Sequence, residues 1–130
     1  MVIINPEEGV RFGVVKSLED MYREIGCSTI DIASRKVGGR WFDFIVDDEG
    51  LLKADPKVSA IYRNEEEGTC EPAFVGTLIV CSHDDKGNTV DISLTDHMIL
   101  VDRIRILVTK NTVTGEEYET HVIQLDDWRA

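Results

Sequence analysis

Apolar residues in this chain recur mostly at the spacing of β-strands, and helical spacing is confined to two stretches. Val2 to Asn5 is a short apolar run closed by Asn-Pro, a turn signal, and Gly9 lets the chain turn back into a second strand over Val10 to Val15. Leu18, Met21, Tyr22 and Ile25 then fall at i, i+3, i+4 and i+7, which predicts an amphipathic helix. Ser17 is placed to cap it, Glu19 and Asp20 suit the positive end of its dipole, and Gly26 is placed to stop it. Alternation resumes over Thr29 to Ser34, and Gly38-Gly39 supplies the positive φ angles of a tight hairpin. The partner strand is Trp41 to Val46. Phe42, Phe44 and Val46 share one face, and Trp41, Asp43 and Ile45 the other, so a single polar residue on the second face suggests cover on both sides.

Beyond the acidic turn Asp47 to Gly50 the pattern is weaker. Asp55-Pro56 has the form of an N-cap and a first helical proline, predicting a helical turn to about Tyr62. Asn64 to Glu71 reads as an acidic loop, Ala73 to Cys81 as the most buried strand, and Thr89 to Ser93 as its partner across a second acidic turn, His83 to Asn88. Thr95 can cap a second helix containing Ile99, Leu100 and Ile104. From Arg105 the spacing returns to that of strands, with Thr114-Gly115 as a turn and Tyr118 to Leu125 as the return. Successive hairpins imply one α+β domain over residues 1–130, a mostly antiparallel sheet with two or three short helices packed on it.

Composition narrows the function classes. The 130 residues are 42% hydrophobic, enough for a core, and no apolar run approaches the roughly 20 residues of a membrane helix. MVIINPEEG lacks the basic and apolar regions of a signal peptide. Cys27, Cys70 and Cys81 form no CxxC pair, which reads as reduced thiols in a reducing, cytoplasmic compartment. The net charge of −11 repels nucleic acid and anionic membrane, so neither is expected as a direct partner.

The chemistry-bearing residues are sparse. Asp47, Asp48 and Glu49 in one turn and Asp84 and Asp85 in another lack the alternating acids of a calcium loop, and read as solvated hairpin tips or, if brought together, as a divalent cation site for hydrolysis. Cys81 and His83 are one loose pair, short of a zinc set. No GxSxG elbow, phosphate-binding glycine loop or dinucleotide fingerprint is present, and no cofactor is expected. One anomaly stands out in so acidic a chain: Arg35 and Lys36 precede Gly38-Gly39, and Arg40 and Trp41 follow. Glycine N–H groups can cradle an anion, guanidinium groups fork onto phosphate, and an indole can stack on a base. Arg35, Lys36, Gly38, Gly39, Arg40 and Trp41 are therefore the candidate ligand site, set against a plain solvated tip whose charges pair with neighbouring acids. Arg103 and Arg105 form a weaker second basic spot.

The pieces SLEDMYREIGC, TIDIA, FDFIVDDEGLLK, PKVSAI, FVGTLIVCSHDDKG and SLTD, in that order, resemble a family of small proteins called domain of unknown function 3846. The likeness runs from Val14 to Ile104, and the hairpin over Arg105 to Leu125 is an addition to the family pattern. The resemblance implies a setting in phages, plasmids and other mobile elements and supplies no catalytic residues. It favours a non-enzymatic, homo-oligomeric accessory protein that acts by binding, as in counter-defence sequestration of a small anionic signalling nucleotide. The alternatives are an acidic inhibitor or DNA mimic directed at a host protein, and a metal-assisted hydrolase built on the acidic turns.

Overall fold

The computed structural model describes residues 1–50, 57–64, 69–110 and 113–126. Within them the chain forms ten strands and two helices: β1 Val2–Asn5, β2 Gly9–Phe12, α1 Leu18–Ile25, β3 Ile30–Val37, β4 Arg40–Asp47, β5 Val58–Asn64, β6 Thr69–Val75, β7 Leu78–His83, β8 Thr89–Val90, α2 Leu94–Asp102, β9 Ile104–Lys110 and β10 Glu117–Leu125. The fold is α+β, and all pairings but one are antiparallel. The first sheet runs β2-β1-β7-β4-β3 with β8 on β7, and the second runs β6-β5-β10-β9, where β10 lies parallel to β5.

Two apolar layers hold these elements together. Val2, Ile4, Phe42, Phe44, Val46, Leu78 and Val80 point from one face of the first sheet onto Ala60, Ile123 and Leu125 of the second sheet and Leu100 of α2. Phe44 is fully buried and stacks on Phe74 with ring centroids 5.7 Å apart. The opposite face carries Ile3, Ile45, Ile79 and Cys81, which pack under Met21 and Ile25 of α1. Both faces of β4 are thus covered along most of its length, as its run of apolar residues implies.

Local signals explain the parts that follow the sequence pattern. The Ser17 hydroxyl accepts from the Asp20 N–H, and Gly26 ends α1 in the left-handed region at φ 75°. Some expectations fail. Val58–Asn64 is strand rather than helical turn, because its β-branched and aromatic residues find neighbours on both sides, β6 and β10; Asp55 and Pro56 lie outside the described residues. The stretch from Ala73 to Cys81 is two strands in different sheets, broken at Gly76, whose φ of 78° turns the chain. The second helix is capped by Ser93, whose hydroxyl accepts from the Asp96 N–H, rather than by Thr95. The hairpin of β9 and β10 contributes Ile123 and Leu125 to the core.

Candidate functional site

β3 continues to Val37, so Arg35 and Lys36 are strand residues rather than tip residues. Their side chains consequently leave opposite faces of the sheet. Register pairs Arg35 with Phe42 and Val37 with Arg40 on the inner face, and Lys36 with Trp41 on the outer face. The six candidate residues are contiguous in sequence but divide into two groups.

The inner group is engaged by the chain itself, although Arg35 Nε is buried without a hydrogen-bond partner. Gly38 and Gly39 have φ angles of 57° and 83°, which aims both N–H groups outward as an anion nest. The Asp126 carboxylate fills it, accepting from the Gly38 N–H and the Gly39 N–H at 2.9 Å each, while the Asp126 N–H donates to the Lys36 carbonyl at 2.8 Å. Arg40 Nε lies 2.8 Å from Asp96 Oδ1 of α2 in an ion pair that lacks hydrogen-bond alignment, so that Oδ1 is buried without an aligned donor. The Arg35 guanidinium sits over the Phe74 ring at 5.4 Å and donates to the Ser34 carbonyl at 2.8 Å. The hairpin tip is a clamp that ties β3 and β4 to α2 and the end of β10.

The outer group is open. Trp41 is 67% exposed. Among the described residues no carboxylate lies within ion-pairing distance of its cross-strand neighbour Lys36. Next along the same face, Ser34 pairs with Asp43 and Asp43 with Cys81. Asp43 is buried, and its carboxylate accepts from Ser34 Oγ at 3.0 Å and contacts His83 Nδ1 at 2.7 Å. With Nδ1 held by Asp43, Nε2 is the ring nitrogen that the exposed His83 offers to a partner. Ser34 and His83 engage different oxygens of the same carboxylate and not each other, so the trio lacks the nucleophile–base contact of a hydrolytic triad. Burial pushes the Cys81 thiol up to about 12, with the Asp43 charge adding to the effect, which makes it a packing residue rather than a nucleophile. The sequence signal for this cluster was the isolated Asp43 on an apolar face and the alternation that puts Cys81 and His83 on one side of β7. In the sequence Asp43 stands out only as a polar residue on that face, and His83 only as half of a loose pair with Cys81.

The acidic turns do not converge. Because β4 and β7 are antiparallel with Asp43 opposite Cys81, Asp47 to Glu49 follow one end of the sheet and Asp84 and Asp85 the other. The two-turn cation site of the hydrolase reading is therefore not assembled. Asp84 is spent on its own turn, accepting from the Lys86 and Asn88 N–H groups at 2.9 Å each, and the Asn88 bonds hold its carboxyl below the usual range. Asp47, Asp48 and Glu49 instead rim a cleft of about 290 Å³ floored by Val46, Phe74 and Val75. Its acidic rim is unsuited to an anion.

A family model described as Domain of unknown function (DUF3846) matches residues 1–107. The chain belongs to the DUF3846 family. The match takes in both helices, the whole first sheet and β9 to Leu107, so the Lys36–Trp41 face and the Asp43 cluster lie inside the family region while Asp126 lies beyond it. No curated protein and no solved structure matches this DUF3846 chain. No helix among the described residues is long and apolar enough to cross a membrane.

Proposed function

We propose that this DUF3846 protein acts by binding rather than turnover, and that its ligand surface is the outer face of the first sheet at Lys36 and Trp41. One observation carries the reading: a largely exposed indole lies directly beside a lysine that has no carboxylate partner among the described residues, on a rigid strand pair. An indole stacks on any base at about 1–3 kcal/mol, and an ammonium group complements phosphate. The ligand class is a small planar anion, with a signalling nucleotide as the type, and His83 Nε2 is a further polar contact at the rim. This moves the site from the whole Arg35–Trp41 stretch to its outward half. Sequestration of such a ligand in a host bacterial cytoplasm, on behalf of a phage or other mobile element, is the role that fits a binder without a nucleophile–base pair.

Titration calorimetry of the full chain against a panel of nucleotides tests it. Heat is expected with at least one member, lost in Trp41→Ala and Lys36→Ala and kept in Arg40→Ala, whose charge serves Asp96. No heat with any member, or binding unchanged in both outer-face variants, refutes the reading.

A further inference from the structure

Among the described residues β2, β3, β6 and β9 end the two sheet paths, and the chain protects these edges unequally. Exposed edges invite pairing with other strands and are normally blunted by short length, proline, charge or side-chain caps. β2 is four residues long, and the Arg11–Glu24 ion pair ties it to α1. β6 carries Pro72. On β3, Asp31 accepts from the outward Ile32 N–H at 2.9 Å, the Arg35 guanidinium caps the outward Ser34 carbonyl, and Asp126 takes the Lys36 carbonyl.

β9 is different. The Leu107 carbonyl accepts from Thr120 Oγ1 and the Arg103 carbonyl from the Gln124 N–H, which fixes the odd-numbered residues as those facing β10. Strand alternation then turns the N–H and C=O groups of Ile104, Ile106, Val108 and Lys110 away from the sheet. Arg105 caps the Ile104 carbonyl at 2.9 Å. Among the described residues nothing bonds to the outward groups of Ile106 and Val108, and their side chains are 61% and 59% exposed.

We propose that this window is the contact between two copies of the chain, with β9 pairing antiparallel to β9 of a second copy about a two-fold axis at Leu107. That register is self-complementary. It sets Ile106 opposite the second copy's Val108 and Val108 opposite its Ile106, each pair exchanging both main-chain hydrogen bonds, with the four apolar side chains on one face. It also avoids like-charge contacts, since Lys110 falls opposite Ile104 and Arg105 opposite Thr109. The edge carries Arg105 and Lys110 and no acid, so the second copy is selected by this register, which sets apolar residues against apolar ones and keeps the cations apart. The homo-oligomer expected from the family likeness thereby acquires a surface, and this proposal stands independently of the ligand face.

Sedimentation equilibrium of the full chain over a concentration series tests it. A dimer is expected, weakened about tenfold or more in Val108→Lys, which puts a charge against the second copy's Ile106. Val108→Pro, which deletes an outward N–H and leaves the β10 ladder its donors, should act alike. In the wild-type dimer the Ile106 and Val108 amides should exchange with deuterium slowly. A monomer at every concentration, a dimer indifferent to both variants, or fast exchange of those two amides in the dimer overturns the proposal.

Discussion

Replacing Asp126 with alanine should destabilise the protein out of proportion to its place near the chain end. Its carboxylate accepts two backbone N–H groups at 2.9 Å each, and among the described residues neither donor has another acceptor. A hydrogen bond to a charged acceptor is worth about 1.5–3 kcal/mol when shielded. Here Gly39 is exposed and Asp126 half-buried, so water replaces much of the loss. A net cost of about 1–2 kcal/mol follows, and for a chain of this length it lowers Tm by about 4–10 °C. Asp126→Asn, which keeps one acceptor oxygen but turns an NH₂ toward the other glycine, should recover less than half. Urea unfolding followed by far-UV circular dichroism measures this, with an unchanged slope showing that the native and unfolded ensembles are otherwise alike. A loss below about 0.4 kcal/mol would mean that the nest is satisfied by water, and the clamp reasoning would fail.

Four further outcomes are expected. Gly38→Ala should cost more than Gly39→Ala in the same assay: both have positive φ, but a Cβ on Gly38 would sit 2.7 Å from Ile99 Cγ2 while one on Gly39 meets open space. Phe44→Ala should cost about 3–5 kcal/mol by removing a fully buried ring from the layer between the sheets, as urea titration would read. In native protein a thiol reagent should modify exposed Cys70 first and leave Cys81, buried with its thiol pushed up to about 12, until the chain unfolds, with peptide mapping to assign the order. Asp91 loses some solvation, yet bonds from the Met1 ammonium and the Ile92 N–H hold its carboxyl below the ordinary value of 3.8. A carboxyl lowered in the folded state contributes stability that is present above its unfolded pKa and lost as pH falls through the folded one. Asp91→Asn should therefore flatten the acid limb of a stability–pH curve below about pH 4 and leave its neutral slope unchanged.

The strongly local features were legible in the sequence. The Ser17 cap, the Gly26 stop and the Gly38-Gly39 turn each depend on chemistry within a few residues, and all three occur where the spacing implied. What escaped depends on distant partners. Val58–Asn64 becomes a strand only because β10 arrives from more than fifty residues downstream to pair with it, and Asp55-Pro56 pointed the other way. Gly76 reads as one residue in a buried run, and only the two-sheet arrangement makes it a break. For the site, proximity in sequence misled. A strand sends adjacent residues to opposite faces, so extending β3 by three residues past Ser34 divides the cationic cluster, and the acids that neutralise its inner half, Asp96 and Asp126, lie far along the chain. Asp43 and His83 are forty residues apart and meet through the β4–β7 register, which no local spacing announces.

The central claim is that the outer face, not the Gly38-Gly39 nest, receives a planar anion. Amide and indole shift mapping by NMR during a nucleotide titration tests it most directly. Shifts centred on Lys36, the Trp41 indole and His83, with Gly38, Gly39 and Asp126 nearly still, are the expected result. Shifts centred on the nest with release of Asp126, or on the Asp47–Glu49 cleft, would contradict it.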